Sequence, residues 1–271
     1  MIGRTCCFAL WAGVVVVRAF AGEWVSVDLS GGRDAASWPV RERETGPALS
    51  NDACRTTELW FRQLPGTNLL VAVFETTQEQ YFRVTGERPA RHAGAGRPVE
   101  SVSWRDVRTN FLSRLSARTG LTCELPTEAE WMYACRAGVR GSFHNGKWSR
   151  SHEEHWLDGI ARYANNRHDG RGGGYEQHCI VGSYAPNAWG LHDFHGNVSE
   201  MCLEHLEGRF PWNKYLKLKG GNWYPCMETS TAMFCSVDDR GCGAYLYADE
   251  DYASDMVGFR VFARRTEENR K

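Results

Sequence analysis

From residue 23 the chain opens on a loosely alternating apolar and polar stretch, Glu23 to Leu29, which predicts a β-strand. Ser30-Gly31-Gly32 turns it, and residues 30 to 56 are polar and loop-like. Asn68 to Phe74 is a mostly apolar run, read as a second strand. Thr77 followed three residues later by Gln80 is a capping box, in which each side chain can serve the other's backbone amide. It opens a short helix through Val84 that Gly86 ends. Ser103 caps a longer helix with Asp106 in its first turn, and Gly120 terminates it. Within it Trp104, Val107, Phe111 and Leu115 follow at spacings of three, four and four, so they share one face. Thr127 and Glu130 repeat the capping box ahead of a third helix, which carries Trp131 and Cys135 and stops at Gly138. Periodicity then fades as far as residue 215, where glycine, asparagine, histidine and aromatic residues dominate. Strands return at Leu216 to Tyr224 and at Val257 to Ala263, with Val257, Phe259, Val261 and Ala263 on one face.

Short helices early, an irregular middle and late strands describe an α+β protein with little regular secondary structure. Composition agrees: 28 glycines and 11 tryptophans in 271 residues suit aromatic side chains packed under irregular backbone. There are 32 Lys+Arg against 33 Asp+Glu, a formal charge of −1, which argues against a protein that grips nucleic acid by neutralising phosphates. With 42% hydrophobic and 24% charged residues, wholesale disorder is excluded too.

The first 21 residues stand apart. Arg4 gives a positive start, Cys6 to Val17 is apolar, and Ala19-Phe20-Ala21 supplies small residues before Gly22. This is the pattern of a cleaved secretory signal, and its apolar run falls short of the ~20 residues of a membrane span; a retained anchor is the alternative. The mature chain is therefore expected to be exported, secreted or periplasmic, with no membrane span after cleavage. Export changes how cysteines are read. Of the ten, Cys6 and Cys7 leave with the signal, and eight remain, an even number that suggests disulfides in an oxidising compartment. No C-x-x-C pair occurs among them, so a zinc ribbon has no support.

Several motifs follow in order: Phe74-Glu75-Thr76-Thr77-Gln78-Glu79-Gln80-Tyr81, Arg97-Pro98-Val99-Glu100-Ser101-Val102-Ser103-Trp104, and Leu125-Pro126-Thr127-Glu128-Ala129-Glu130-Trp131. Pro186-Asn187-Ala188-Trp189-Gly190-Leu191, His195-Gly196-Asn197-Val198-Ser199-Glu200, Lys219-Gly220-Gly221-Asn222-Trp223 and Gly258-Phe259-Arg260 complete the series. Together they resemble the formylglycine-generating enzyme (sulfatase-modifying factor) family, whose fold is a C-type-lectin-like α+β domain. The resemblance divides the chain into a signal peptide (1–21), an N-terminal strand and loop extension (22–64), the family domain (65–266) and a polar tail (267–271).

The family's activity, as the resemblance implies, oxidises a sulfatase cysteine to formylglycine with molecular oxygen and copper held by two thiols. Soft thiolates suit Cu(I), so both are needed. Their positions fall here on Pro225 and Ser230, with the structural cysteine in register at Cys235. Cys226, one position off, is the only nearby thiol. The family's active-site serine is Asn222, and the tryptophan of its G-N-x-W-E motif is Ser199. A hairpin that usually precedes the first helix is also missing, with Leu64-Pro65-Gly66 running almost directly into the Asn68 strand.

The resemblance also implies calcium in the turn after the glycine, bound by Asp193 and Glu200 and by the carbonyls of Gly196 and Val198. Hard oxygens of this number suit that ion. A second calcium site would use Asn165, Asn166 and Tyr175, with Gly173 where the family has an aspartate. It further implies a Cys135–Cys235 disulfide; the pairing of the other six cysteines stays open. His152-Glu153-Glu154-His155 lacks the four-residue spacing of a zinc helix, and His192 and His195 read as packing or hydrogen-bonding residues. Two functions follow. One is a calcium-stabilised binding module with an unidentified ligand or exported protein partner. The other is an active copper-dependent oxidase acting on a sulfatase peptide.

Overall fold

The computed structural model describes residues 23–148, 157–163, 166, 177–207, 214–224, 235 and 249–265. Strands β1 (Trp24–Asp28), β2 (Val40–Arg43), β3 (Glu58–Gln63), β4 (Leu69–Ala72), β5 (Leu121–Glu124) and β9 (Phe262–Arg265) form one six-stranded antiparallel sheet in the order β2-β1-β3-β4-β9-β5. A three-stranded sheet, β7-β6-β8, joins β6 (Ser199–Glu207) to β7 (Lys214–Lys219) antiparallel and to β8 (Val257–Gly258) parallel. The segment before residue 65 is integral to the main sheet, so the boundary expected there falls inside a single layer.

Side chains alternate across the main sheet as a period of two requires. Leu70, Ala72, Val261 and Ala263 join Val25, Val27, Leu59 and Phe61 under the helices, while Leu69, Val71 and Phe262 face the opposite way. Helix α2 (Gln78–Thr85) has the expected capping box, with Thr77 accepting from the Gln80 amide and Gly86 closing the helix at φ 85°. Its Tyr81 stacks on Phe111 at 5.4 Å. The helix expected from Ser103 to Gly120 has three parts: α3 (Trp104–Asp106), a π-helical stretch (Val107–Leu112) and α4 (Ser113–Thr119). In the wider turn the Ser113 amide reaches back to the Arg108 carbonyl. Trp104, Val107, Phe111 and Leu115 all remain in the core. On the opposite face α5 (Glu128–Arg136), again with its capping box, sets Trp131 and Cys135 against Leu191 and Phe194. A further one-turn helix, α1 (Ala53–Thr56), lies inside the stretch expected to be loop.

The expected strand over Val257 to Ala263 is divided, because it passes from the small sheet (β8) to the large one (β9). Arg260 sits at the crossing, fully buried. Strand β6 arises within the stretch that had no periodicity, because its inward positions include the polar Ser199 and Glu200, 1% and 0% exposed. The expected Leu216 strand begins two residues earlier and ends at Lys219, where Gly220 and Gly221 adopt φ 92° and 70°.

Candidate functional site

The turn between Asp193 and Glu200 lies where the two sheets meet. Gly196 is required there: at φ 89° it passes so close to the chain that an added Cβ would lie 2.0 Å from the Arg162 carbonyl. Asp193 and Asn197 hold positive φ angles of 61° and 64°, uncommon for residues with a side chain. Such backbone is tolerated where the surroundings over-determine it. Here they do. Asp193 Oδ2 accepts from the Gly182 amide at 2.6 Å, and Asn197 Nδ2 donates to Glu75 Oε2 at 2.5 Å. The Val198 amide donates to Glu75 Oε1 at 3.0 Å.

Glu200 is held by Arg260, whose Nη2 lies 2.6 Å from Oε1, and by the Trp131 indole N–H at 2.8 Å from Oε2. Arg260 also donates to the carbonyls of Ala72, Val73 and His192 and lies over the Phe194 ring at 4.1 Å. Three carboxylates, Glu75, Asp193 and Glu200, thus share one neighbourhood, each at most 3% exposed, with Arg260 as the guanidinium among them. Burial pushes the Asp193 carboxyl up to about 6, against the Gly182 hydrogen bond. Burial likewise raises Glu75 well above the usual carboxylate range, helped by the charges of Asp193 and Glu200. Such an excess of buried negative charge resolves either by protonation or by a cation.

Among the described residues no group of three or more His, Cys, Asp or Glu side chains is gathered as a metal centre. The ligands expected of a calcium ion, Asp193 and Glu200 with the carbonyls of Gly196 and Val198, would have to hold it in this turn, where Glu200 is already engaged by Arg260 and Trp131. The second expected site is only partly described. Asn165 and Tyr175 lie outside the described residues, and Asn166 is occupied: its Oδ1 accepts from the Tyr163 amide and its Nδ2 donates to the Ala161 carbonyl. It closes a local turn.

Cys54, Cys123, Cys135, Cys179 and Cys202 are free and buried. Burial pushes the Cys123 thiol up to about 12 and raises the other four. Cys226 and Cys242 lie outside the described residues. Cys135, for which the resemblance implies a bond to Cys235, is a free thiol in this structure and lies against His195. Cys135 Sγ lies 3.7 Å from His195 Nε2, and His195 Nδ1 lies 2.5 Å from the Cys235 carbonyl. His195 Nε2 also accepts the His144 amide, which leaves Nδ1 to donate to Cys235. His192 Nδ1 meets the Tyr184 carbonyl at 2.8 Å. Both histidines therefore have the hydrogen-bonding roles expected of them; His152 and His155 lie outside the described residues.

Two departures from the family pattern meet in space. Asn222 Nδ2 donates to Ser199 Oγ at 3.1 Å, so the residue replacing the active-site serine bonds the one replacing the tryptophan. Glu75, Asn197 and Arg260 are buried residues of this neighbourhood that the sequence did not single out. Each lies in a motif read only for its order.

Comparison with known proteins gives the family. Residues 30–265 match the Sulfatase-modifying factor enzyme 1-like domain, and the chain belongs to this formylglycine-generating enzyme family. The formylglycine-generating enzyme of Mus musculus is 26% identical over 61% of this chain and 44% of its own length. The inactive C-alpha-formylglycine-generating enzyme 2 of Bos taurus is 27% identical over 60% of this chain and 49% of its own. The match thus spans about half the length of these curated relatives. Among solved structures, Treponema denticola variable protein 1 has the same fold, with a TM-score of 0.57, 23% identity, and coverage of 73% of this chain and 84% of that one. No described helix is long and apolar enough to cross a membrane.

Proposed function

We propose that this protein is a non-catalytic member of the family, exported by its N-terminal signal and acting as a calcium-stabilised binding module. The observation that carries the reading is the loss of the soft-ligand pair. Pro225 and Ser230 occupy the two thiol positions, and the five free thiols named above are buried and protonated at neutral pH. A protonated, buried thiol neither holds Cu(I) nor exchanges with a substrate thiol. The Asn222–Ser199 bond supports the reading, since it ties up the position of the family's active-site serine. In this reading Asp193, Glu200 and the carbonyls of Gly196 and Val198 hold the calcium ion, whose charge offsets the buried carboxylates. The ligand or exported partner is unidentified.

The test is direct. Copper-loaded protein is incubated in air with a Cys-x-Pro-x-Arg peptide, and the mass of the cysteine is followed. No conversion is expected. Conversion by the wild type and not by Cys226→Ser would overturn the reading and make the chain a copper-dependent oxidase.

A further inference from the structure

Asn197-Val198-Ser199 is the one N-x-S/T triplet in the chain, the acceptor sequence for an N-linked glycan. In an exported protein such a triplet ordinarily marks a surface loop. Here it is the innermost part of the turn. Asn197 and Val198 are 0% exposed and Ser199 is 1% exposed. Both ends of the Asn197 side chain are taken: Nδ2 donates to Glu75 Oε2 at 2.5 Å, and Oδ1 accepts the Cys179 amide at 2.8 Å. Its main chain is held as well, the amide by the Arg162 carbonyl at 2.7 Å and the carbonyl by the Trp223 amide at 3.1 Å. Ser199 Oγ, the hydroxyl that the acceptor sequence requires, accepts from Asn222 Nδ2 at 3.1 Å.

Transfer of a glycan forms a bond from Asn197 Nδ2 to C1 of the first sugar. It breaks the bond between that carbon and a lipid-linked diphosphate, which leaves, and Nδ2 gives up one proton. The product keeps one N–H where the amide had two, and it carries a bulky, hydrated chain. A fully buried nitrogen has no room for that chain, and a sugar carried inward would bring unpaired hydroxyls with it. In the folded protein, conversely, no transferring enzyme reaches the amide. We infer that folding and N-glycosylation of Asn197 exclude each other, so the native protein forms only along a route that meets no oligosaccharyl transferase before this turn has closed.

The order of the chain makes the exclusion consequential. The turn is pinned by partners that follow it: the Gly196 amide donates to the Gly220 carbonyl, Trp223 holds Asn197, and Arg260 holds Glu200. Arg260 lies roughly 60 residues beyond the triplet, so synthesis at about 5–20 residues per second leaves the acceptor open for several seconds before its last partner exists. A transferase working on the emerging chain meets it unprotected. Taken with the proposed export, on which this step alone rests, the buried triplet points to a periplasm or another route without that enzyme, and away from a eukaryotic secretory pathway.

The full chain sent into a eukaryotic secretory pathway behind the host's own leader tests this, with the bacterial periplasm as the route lacking the transferase. In the eukaryotic host the wild type is expected inside the cell, glycosylated at Asn197 and protease-sensitive, and any secreted material is expected to be bare at that residue. Ser199→Ala removes the acceptor sequence but keeps the Asn197 amide, and should raise the secreted, protease-resistant yield severalfold. In the periplasm the two should give equal yields. A glycan mapped to Asn197 in secreted, protease-resistant chain would overturn the inference, as would equal eukaryotic yields of wild type and Ser199→Ala. Should Ser199→Ala fail to fold in the periplasm, the wild type treated with an inhibitor of lipid-linked oligosaccharide synthesis decides: secretion must then recover, and no recovery overturns the exclusion. Repeating the experiment with residues 1–21 as the only leader separates this inference from the export reading. If that chain alone stays in the cytosol, the signal fails and the exclusion stands.

Discussion

The two faces of the main sheet are filled by opposite means. Beneath α2 to α4 the core is apolar, with Tyr81, Phe111 and Phe259 in mutual ring contact and Leu115 fully buried. At the meeting of the two sheets, Glu75, Asp193, Glu200 and Arg260 are just as buried, and their neighbourhood is charged. The apolar face gains from each methylene removed from water. The charged face holds only while its partners are complete, because a buried charge that loses its partner retains its full desolvation cost. One face tolerates imperfect packing; the other tolerates no missing partner.

Acid should separate them most. Burial lowers His144 and His192 to about 4 and His195 to about 3, all three on the charged side. The unfolded chain takes these protons first. The stability that these rings contribute is therefore full above pH 6.5 and is lost as pH falls toward about 4, by up to about 2 kcal/mol each at pH 5. Asp193, raised to about 6, has the opposite sign: its contribution is present below pH 3.8 and is lost as pH rises through about 6. Glu75, also raised, acts in the same sense as Asp193; if the three histidines outweigh the two carboxyls, urea midpoints should fall steadily between pH 6.5 and 4.5. A flat profile would mean that the histidines are not held neutral.

Arg260→Met should cost about 4 kcal/mol in chemical denaturation, since it leaves three buried carboxylates without their guanidinium. Leu115→Ala, on the apolar face, should cost about 3 kcal/mol through its cavity. The sharper difference is in pH dependence. Arg260→Met should recover stability toward acid as carboxyls protonate, while the Leu115→Ala deficit should stay constant. Parallel pH profiles for the two would erase the distinction.

The smallest effect expected is from calcium. Saturation a hundredfold above Kd adds about 2.7 kcal/mol, and lower concentrations add less. The increment should grow as pH rises from 5 to 7, because the ion competes with the proton on Asp193, and Glu200→Gln should abolish it. Unchanged melting curves with chelator and with millimolar calcium would reduce the turn to a structural one.

What was legible in the sequence follows the same division. Capping boxes at Thr77 and Thr127 are local, since each needs only a residue three positions away, and both form as read. The apolar helix face from Trp104 to Leu115 is likewise visible in spacing alone, although the π turn inside it is not. Strand β6 was invisible because Glu200 faces inward, and nothing near it in sequence announces that Arg260 will meet it. Strand β3 hid for another reason: Leu59, Trp60 and Phe61 are buried in succession on both faces, which gives no alternation to read. The candidate site was legible as motifs in order, while its charge balance depended on contacts across 60 residues or more.

Strand β9 lies between β4 and β5, and it is the last strand among the described residues. Until residues 262–265 arrive, β5 is cut off from the four strands β2-β1-β3-β4, and Arg260 has not reached Glu200. Pairing that spans nearly two hundred residues, as between Leu69 and Arg264, carries a large loop-closure cost before any contact repays it. The chain is thus committed to folding as a whole, late, around its C-terminal strand. A truncation ending before Phe259 would keep β8 but remove Arg260 and β9, and leave the N-terminal strands with an exposed edge beside β4.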